Sequence, residues 1–390
     1  MVRVIAVDSL LRRPRRSSSE STWASQSVKA TVTALPMRSV VMKIASDAAL
    51  GMARVLPRFI GPRTRGVQWW LLAAVVLLAG CARNRVGKEH PRQGDEIVVA
   101  GRMFHTGVPV VLWTDVDGYD AYRVERRFVP PEEASWEASA KAGLGTPNRY
   151  GVRKSTLTEE EQDRARAGQW TLESLRKVVN QLVIHYDVAG TSRNCFRVLH
   201  DFRCLSVHFM IDLDGTIYQT LDAKERAWHA GEANDRSVGV EIAQIGAYPI
   251  GEAEKVLPQW YTRDALGTRI TLPARMGDGG IRTQGFVGRP ARDEAVRGVL
   301  HGREYVQYDF TPEQYRALSH LTAALHSALP AIRLDLPRDG DGKVLTRALS
   351  AEELAGFSGL LGHCHVTANK VDPGPAMDWE KLLVGAKRAH

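Results

Sequence analysis

From Thr171 onward the chain alternates short β-branched runs with stretches of helical spacing. Val178 to Tyr186 (VVNQLVIHY) is dense in β-branched residues and predicts a central strand that delivers His185 at its end. Thr191 to Asp201 predicts a helix with Cys195, Phe196 and Leu199 on one side. Val207 to Ile211 and Thr216 to Leu221 flank Asp212-Leu213-Asp214-Gly215, and an Asp-Gly pair between two β runs signals a hairpin. Ser237 to Ile242 (SVGVEI) reads as a buried strand broken only by Glu241. Thr311-Pro312-Glu313-Gln314 starts a helix, with threonine as the cap, proline at the first position and glutamine at the third. Tyr315, Leu318, Leu321 and Leu325 carry that helix to Leu329, and a shorter one starts near Ser350, ahead of Leu360-Leu361-Gly362-His363. Strands alternating with helices, with one hairpin among them, predict an α/β (α+β) fold whose central mixed β-sheet is flanked by helices.

The flanking segments are less regular. Residues 1–80 form a leader, 81–170 a linker and small β-rich extension, and 171–385 the main domain, with a Gly-, Pro- and charge-rich surface insertion at 249–309. In the extension, Glu96 to Ala100 and Gly107 to Trp113 are β-like runs divided by GRMFHT; they either join the main sheet or fold apart. His105 between them has no second ligand close in sequence and reads as packing. Val129 to Gln169, broken by Pro130-Pro131 and Gly143 to Pro147, reads as loop with some helix.

Charge changes the picture once it is divided along the chain. The net +8 resides in the leader: residues 1–66 carry twelve Lys/Arg against three Asp/Glu, and residues after 80 carry 40 basic against 41 acidic groups. That balance removes the main support for nucleic-acid binding, so no nucleic-acid partner is expected. Arg54, Arg58, Arg63 and Arg65 precede the apolar run Trp69 to Gly80, whose twelve residues fall short of the about 20 a spanning helix needs. Basic region, short apolar core and small residues before a cut mark an export signal. Leu78-Ala79-Gly80-Cys81 is similar to the lipobox of bacterial lipoproteins, which makes Cys81 a lipidation site and implies a membrane held by acyl chains. Ala82 follows it where an inner-membrane retention aspartate would stand, which points to the periplasmic face of the outer membrane. Residues 1–50 fit either an over-long start or a disordered extension. An exported chain allows a Cys195–Cys204 disulfide, and two buried thiols are equally compatible.

The candidate chemistry gathers in Gly362 to Pro375, GHCHVTANKVDPGP, which offers His363, Lys370 and Asp372. With His185 upstream, two histidines and a carboxylate from separate segments are the usual protein ligands of a catalytic zinc, leaving a fourth position for water. Singly, each has a plainer reading: a packed histidine after a strand, a solvated Lys-Asp pair, and for Glu241 a partner to a buried base. Spacing does not choose between His363 and His365, since on an extended segment they share a face. His208 reads as core. DLDG lacks the later ligands and closing glutamate of a calcium loop.

In this order, the runs IHYDVAG, VHFMIDLDGTIYQ, AWHAG, VGVEI and GHCHVTANKVDPGPAMDW resemble the zinc-dependent N-acetylmuramoyl-L-alanine amidases. Their fold is shared by bacteriophage lysozyme-type amidases and peptidoglycan-recognition proteins. The resemblance spans Val178 to Leu383 around the 249–309 insertion and leaves 82–170 uncovered. It implies one zinc held by His185, His363 and Asp372, Glu241 as the catalytic carboxylate, Lys370 as oxyanion stabiliser, and His229 in the substrate cleft. The reaction it implies is hydrolysis between the lactyl group of N-acetylmuramic acid and L-alanine, by a monomer acting on peptidoglycan or muropeptides. The competing readings are a non-catalytic peptidoglycan-binding protein and a periplasmic amidase of anhydromuropeptide recycling.

Overall fold

Strands form in this chain where consecutive side chains find apolar partners on both sides of a sheet. The computed structural model describes residues 86, 87, 89, 91–145, 149–154 and 156–390; the leader and Cys81 lie outside them. In chain order the strands are β1 (Glu96–Val99), β2 (Arg102–His105), β3 (Val110–Leu112), β4 (Tyr150–Gly151), β5 (Gln181–Tyr186), β6 (Phe209–Ile211) and β7 (Ile217–Gln219). They continue as β8 (Arg226–Ala227), β9 (Ser237–Ile242), β10 (Tyr261–Asp264), β11 (Gly267–Ile270), β12 (Val296–Leu300), β13 (Arg303–Gln307) and β14 (Gly359–Gly362). Six of them make one sheet in the order β14-β5-β9-β6-β7-β3. β14, β5, β9 and β6 run parallel, β7 returns antiparallel to β6, and β3 pairs parallel with β7. The sheet is therefore mixed, as the hairpin in an otherwise alternating chain predicts.

Period-two alternation sorts the two faces. Leu182, Ile184, Val238, Val240, Ile242, Phe209, Ile211 and Leu360 point to one side and share a core with the helix Pro312–Ala328. That helix is capped by Thr311 and Gln314 in a reciprocal box and buries Tyr315, Leu318, Leu321 and Leu325. Each fully buried side chain of this size contributes about 1.5–3 kcal/mol. The helix Trp379–Ala389 closes the same side through Leu382 and Leu383. The residues between, among them Val183 and Leu361, pack on the opposite face. That opposite face is where His185, Gly239 and Glu241 emerge.

Several boundaries differ from the sequence reading. The strand predicted from Val178 begins at Gln181, because Leu172–Val178 is a helix: Thr171 caps it by accepting from the Ser174 amide, and Leu172, Leu175 and Val178 recur every three residues into the core. The extension does not fold apart. β3 is an edge strand of the main sheet, and residues 91–390 form one compact unit that runs through the boundary drawn at 170. GRMFHT is itself strand β2, paired to β1 with exposed Arg102, Met103 and His105. His105 is a correction: it is exposed rather than packed, 2.9 Å from Asp95 Oδ1. Glu96 beside them has its charge met by Arg92 and by the amides of Gln93 and Gly94. The 249–309 insertion is ordered as the helix Ile250–Val256 and two hairpins, β10–β11 and β12–β13. Cys195, Cys204 and Cys364 are free buried thiols, so the disulfide alternative falls. Among the described residues no helix is long and apolar enough to cross a membrane.

Candidate active site

Parallel register builds the floor of the site. His185 on β5 lies opposite Glu241 on β9, and both side chains leave the sheet on the face away from the long helix. Gly362 at the end of β14 pairs with Ile184, so His363 enters one residue further, level with His185. The chain then turns through one helical turn, His363–Val366, and an irregular loop that brings Asp372 back. The Asp372 carbonyl accepts from the Cys364 amide at 2.9 Å.

Asp372 Oδ2 stands 2.8 Å from His185 Nδ1 and 3.1 Å from His363 Nδ1. All three residues are buried, and their ligating atoms lie within 4.8 Å of one another. Bonds of about 2.0–2.2 Å to a tetrahedral ion put ligand atoms roughly 3.3 Å apart, so this donor set fits a zinc-sized cation. The protonation states agree with that fit. Burial pushes His185 down to about 4 against the opposing hydrogen bond from Asp372, which keeps the ring neutral, as a metal ligand must be. Burial would raise Asp372, but the hydrogen bonds from His185 and His363 outweigh it and hold the carboxyl well below its usual range.

The surrounding cleft, about 470 Å³, is lined by His185, His363, Asp372, Glu241, Lys370 and His229. Every described site residue predicted from the sequence is therefore brought together. Glu241 is half-buried, and its Oε2 has no hydrogen-bond partner among the described residues. Burial, and after it the charge of Asp372, raises its carboxyl well above the usual range. Lys370 is exposed at the rim. His229 Nδ1 lies 3.0 Å from His185 Nε2. Burial and the neighbouring His185 ring push His229 well below the ordinary histidine value. Its seat depends on Gly239, where a Cβ would stand 2.6 Å from the imidazole.

His365 does not share the face of His363. Residues 363–366 are helical rather than extended, and positions two apart on a helix point in different directions. His365 instead accepts from the Gly362 amide at 2.9 Å and donates to the Leu345 carbonyl at 2.8 Å. His208 is core, fully buried, accepting from the Gly239 amide at Nδ1 and donating from Nε2 to the Glu225 carbonyl.

Sequence reasoning missed three contributors. Arg153, from the extension, is fully buried and donates to the carbonyls of Ala223, Lys224, Asn234 and Asp235, knitting together the loop that presents His229. Arg203 and Asp187 also line the cleft. Asp187 follows His185 by two residues and was legible as a strand-end carboxylate. Arg203 comes just after the π-helical turn Arg197–Phe202, and Arg153 sits in a segment without periodic pattern; neither carries a local signal.

The model of the N-acetylmuramoyl-L-alanine amidase family matches residues 175–375. No curated protein matches. Among solved structures the chain is similar to a selenomethionine derivative of AmpD, at 19% identity over 61% of this chain and 89% of that one, with a TM-score of 0.28. It is similar to the amidase AmiD of E. coli, solved with anhydro-N-acetylmuramic acid-L-Ala-D-gamma-Glu-L-Lys, at 18% identity over 61% and 65%, TM-score 0.30. It is also similar to the endolysin amidase LysCS of Clostridium intestinale, at 15% identity over 55% and 86%, TM-score 0.29. With just over half of its residues inside the family match, the chain belongs to the N-acetylmuramoyl-L-alanine amidase family and is a peptidoglycan amidase.

Proposed function

We propose that this amidase works with one zinc ion held by His185, His363 and Asp372, and that it acts from a lipid anchor at Cys81 on the periplasmic face of the outer membrane. The observation that carries the metal reading is two buried imidazole nitrogens converging on a single carboxylate oxygen within an open cleft. Zinc, when bound, supplies Lewis acidity and lowers the pKa of a water from 15.7 to about 7.

The chain's own groups supply the remainder. Glu241 takes the proton of the attacking water and returns it to the departing amine; its raised pKa is the direction that a group shuttling a proton near neutral pH requires. Lys370 presents an ammonium at the rim to the oxygen that gains negative charge. His229 braces the outer edge of the His185 ring and walls the cleft. The partner is peptidoglycan or a muropeptide, cut between the lactyl group of N-acetylmuramic acid and L-alanine by a monomer. The muropeptide in the AmiD structure favours keeping soluble fragments beside polymer as substrates.

The test is digestion of purified peptidoglycan with and without chelator, alongside Glu241→Ala. Stem peptides with free N-terminal L-alanine, lost on chelation and at least about 100-fold fewer with the variant, are expected. Binding without cleavage by zinc-loaded protein would leave only a recognition role.

A further inference from the structure

The loop 370–376, which carries Lys370 and Asp372, is fastened from outside by the hairpin β12–β13. Gln307, the last residue of β13, is fully buried. Its Nε2 donates to the Pro373 carbonyl and its Oε1 accepts from the Ala376 amide, both at 3.0 Å. Gly374 lies between those contacts at φ +86°, and a Cβ there would collide with the Gln307 amide, so the side chain is seated against bare backbone. Gly298 on β12 makes a second close approach: a Cβ would stand 2.6 Å from Pro375. At the hairpin turn, His301 Nε2 donates to the Lys370 carbonyl at 2.8 Å. Arg292, before the hairpin, donates to the Ala376 carbonyl and pairs with Asp309 at 2.7 Å. The hairpin is in turn tied to the segment following β9 by reciprocal Tyr248–Val306 amide bonds of 3.0 and 2.8 Å. One element thus links the continuation of the Glu241 strand to the Asp372 loop.

We propose that Gln307 and His301 are positioning residues of the amidase: Gln307 sets Asp372 against the two imidazoles, and His301 sets the backbone that projects Lys370. The proposal rests on reading His185, His363 and Asp372 as a zinc site. Asp372 needs such help because no strand register places it. Its own carbonyl is held by the Cys364 amide on one side, and one residue later Gln307 holds the chain on the other. Groups that orient a metal ligand typically change metal affinity 10- to 100-fold when removed. The division of labour follows from distance along the loop: Gln307 acts next to Asp372, His301 two residues before it.

The experiment measures zinc affinity of the purified full chain by chelator competition, at a temperature where circular dichroism shows every variant folded. Gln307→Leu should weaken zinc binding about 10- to 100-fold. Gln307→Glu, which keeps the acceptor for Ala376 and loses the donor to Pro373, should fall between the two. His301→Ala should hold zinc within twofold of the parent while kcat drops about tenfold at unchanged KM, the mark of a displaced Lys370. A residue with only a structural role would lower the melting temperature and leave the zinc affinity of the folded protein alone. Folded Gln307→Leu with parental zinc affinity overturns the proposal; if that variant does not fold, Gln307→Glu decides in its place. A parent chain that takes up no zinc overturns the zinc reading itself, and the brace with it.

Discussion

The floor and the wall of the cleft are built by different physics. His185 and Glu241 stand on adjacent parallel strands whose other face is locked to the long helix by Ile184, Val240 and Ile242. Their positions follow from register and alternation, and shifting either strand by one residue would turn its apolar face outward. His363, Lys370 and Asp372 follow the end of β14 on one helical turn and a loop, where no repeating pattern fixes them. The apolar side of the floor holds the fold without touching the chemistry, the exposed part of the wall does the reverse, and substitutions should show it.

The largest effect belongs to the wall. Lys370→Ala should reduce kcat about 100- to 1000-fold, the usual loss for one group facing a developing oxyanion. Because Lys370 is exposed, its melting temperature should stay that of the parent. Steady-state kinetics beside a thermal melt checks both halves, and a rate within threefold of the parent would remove Lys370 from the chemistry. Ile184→Ala, one residue from His185 and fully buried, should do the reverse. It should cost about 2–5 kcal/mol in denaturant unfolding, through lost burial and the cavity left behind. The folded fraction should keep its kcat, because the strand's hydrogen bonds still hold His185. A collapse in kcat at small stability loss would mean that the apolar side of the floor also sets the chemistry.

The same division governs what was legible in the sequence. β9 matches its predicted bounds, SVGVEI, and the Asp-Gly hairpin forms, because a doubly buried strand writes itself as a continuous apolar run. The long helix was legible through its cap and its spacing. β2 was hidden because three of its four residues are exposed, Arg102 and His105 among them, and its pairing is only with β1. Val178 and Val179 read as strand by propensity, but the three-residue spacing of Leu172, Leu175 and Val178 wins once the core is present. Asp372 was legible as the carboxylate clustered with His363 and Lys370, and the resemblance then gave it the ligand's role; Arg153 and Gln307 were not found at all. The partners of these two are backbone carbonyls and amides tens of residues away, which leave no trace in local pattern.

His363 and His365 give the finest version of the contrast, two imidazoles on one helical turn, one lining the cleft and the other bonded to the backbone of Gly362 and Leu345. Burial pushes His365 down to about 4, outweighing the carbonyl of Leu345 that favours its charged form. An unfolded histidine titrates near 6.5, so between about 6.5 and 4 the unfolded chain binds the proton that the folded chain refuses. The stability this neutral ring supports is complete above pH 6.5 and drains as the pH falls, by roughly 3 kcal/mol at the acid end. His365→Gln removes that proton linkage. In chelator-treated protein, urea melts from pH 8 to pH 4 should show the stability gap between parent and variant narrowing as the pH drops. His185 contributes equally to both curves and cancels. Parallel curves would mean that His365 takes up its proton as readily in the fold as in the unfolded chain, and its place as neutral scaffold beside His363 would have to be given up.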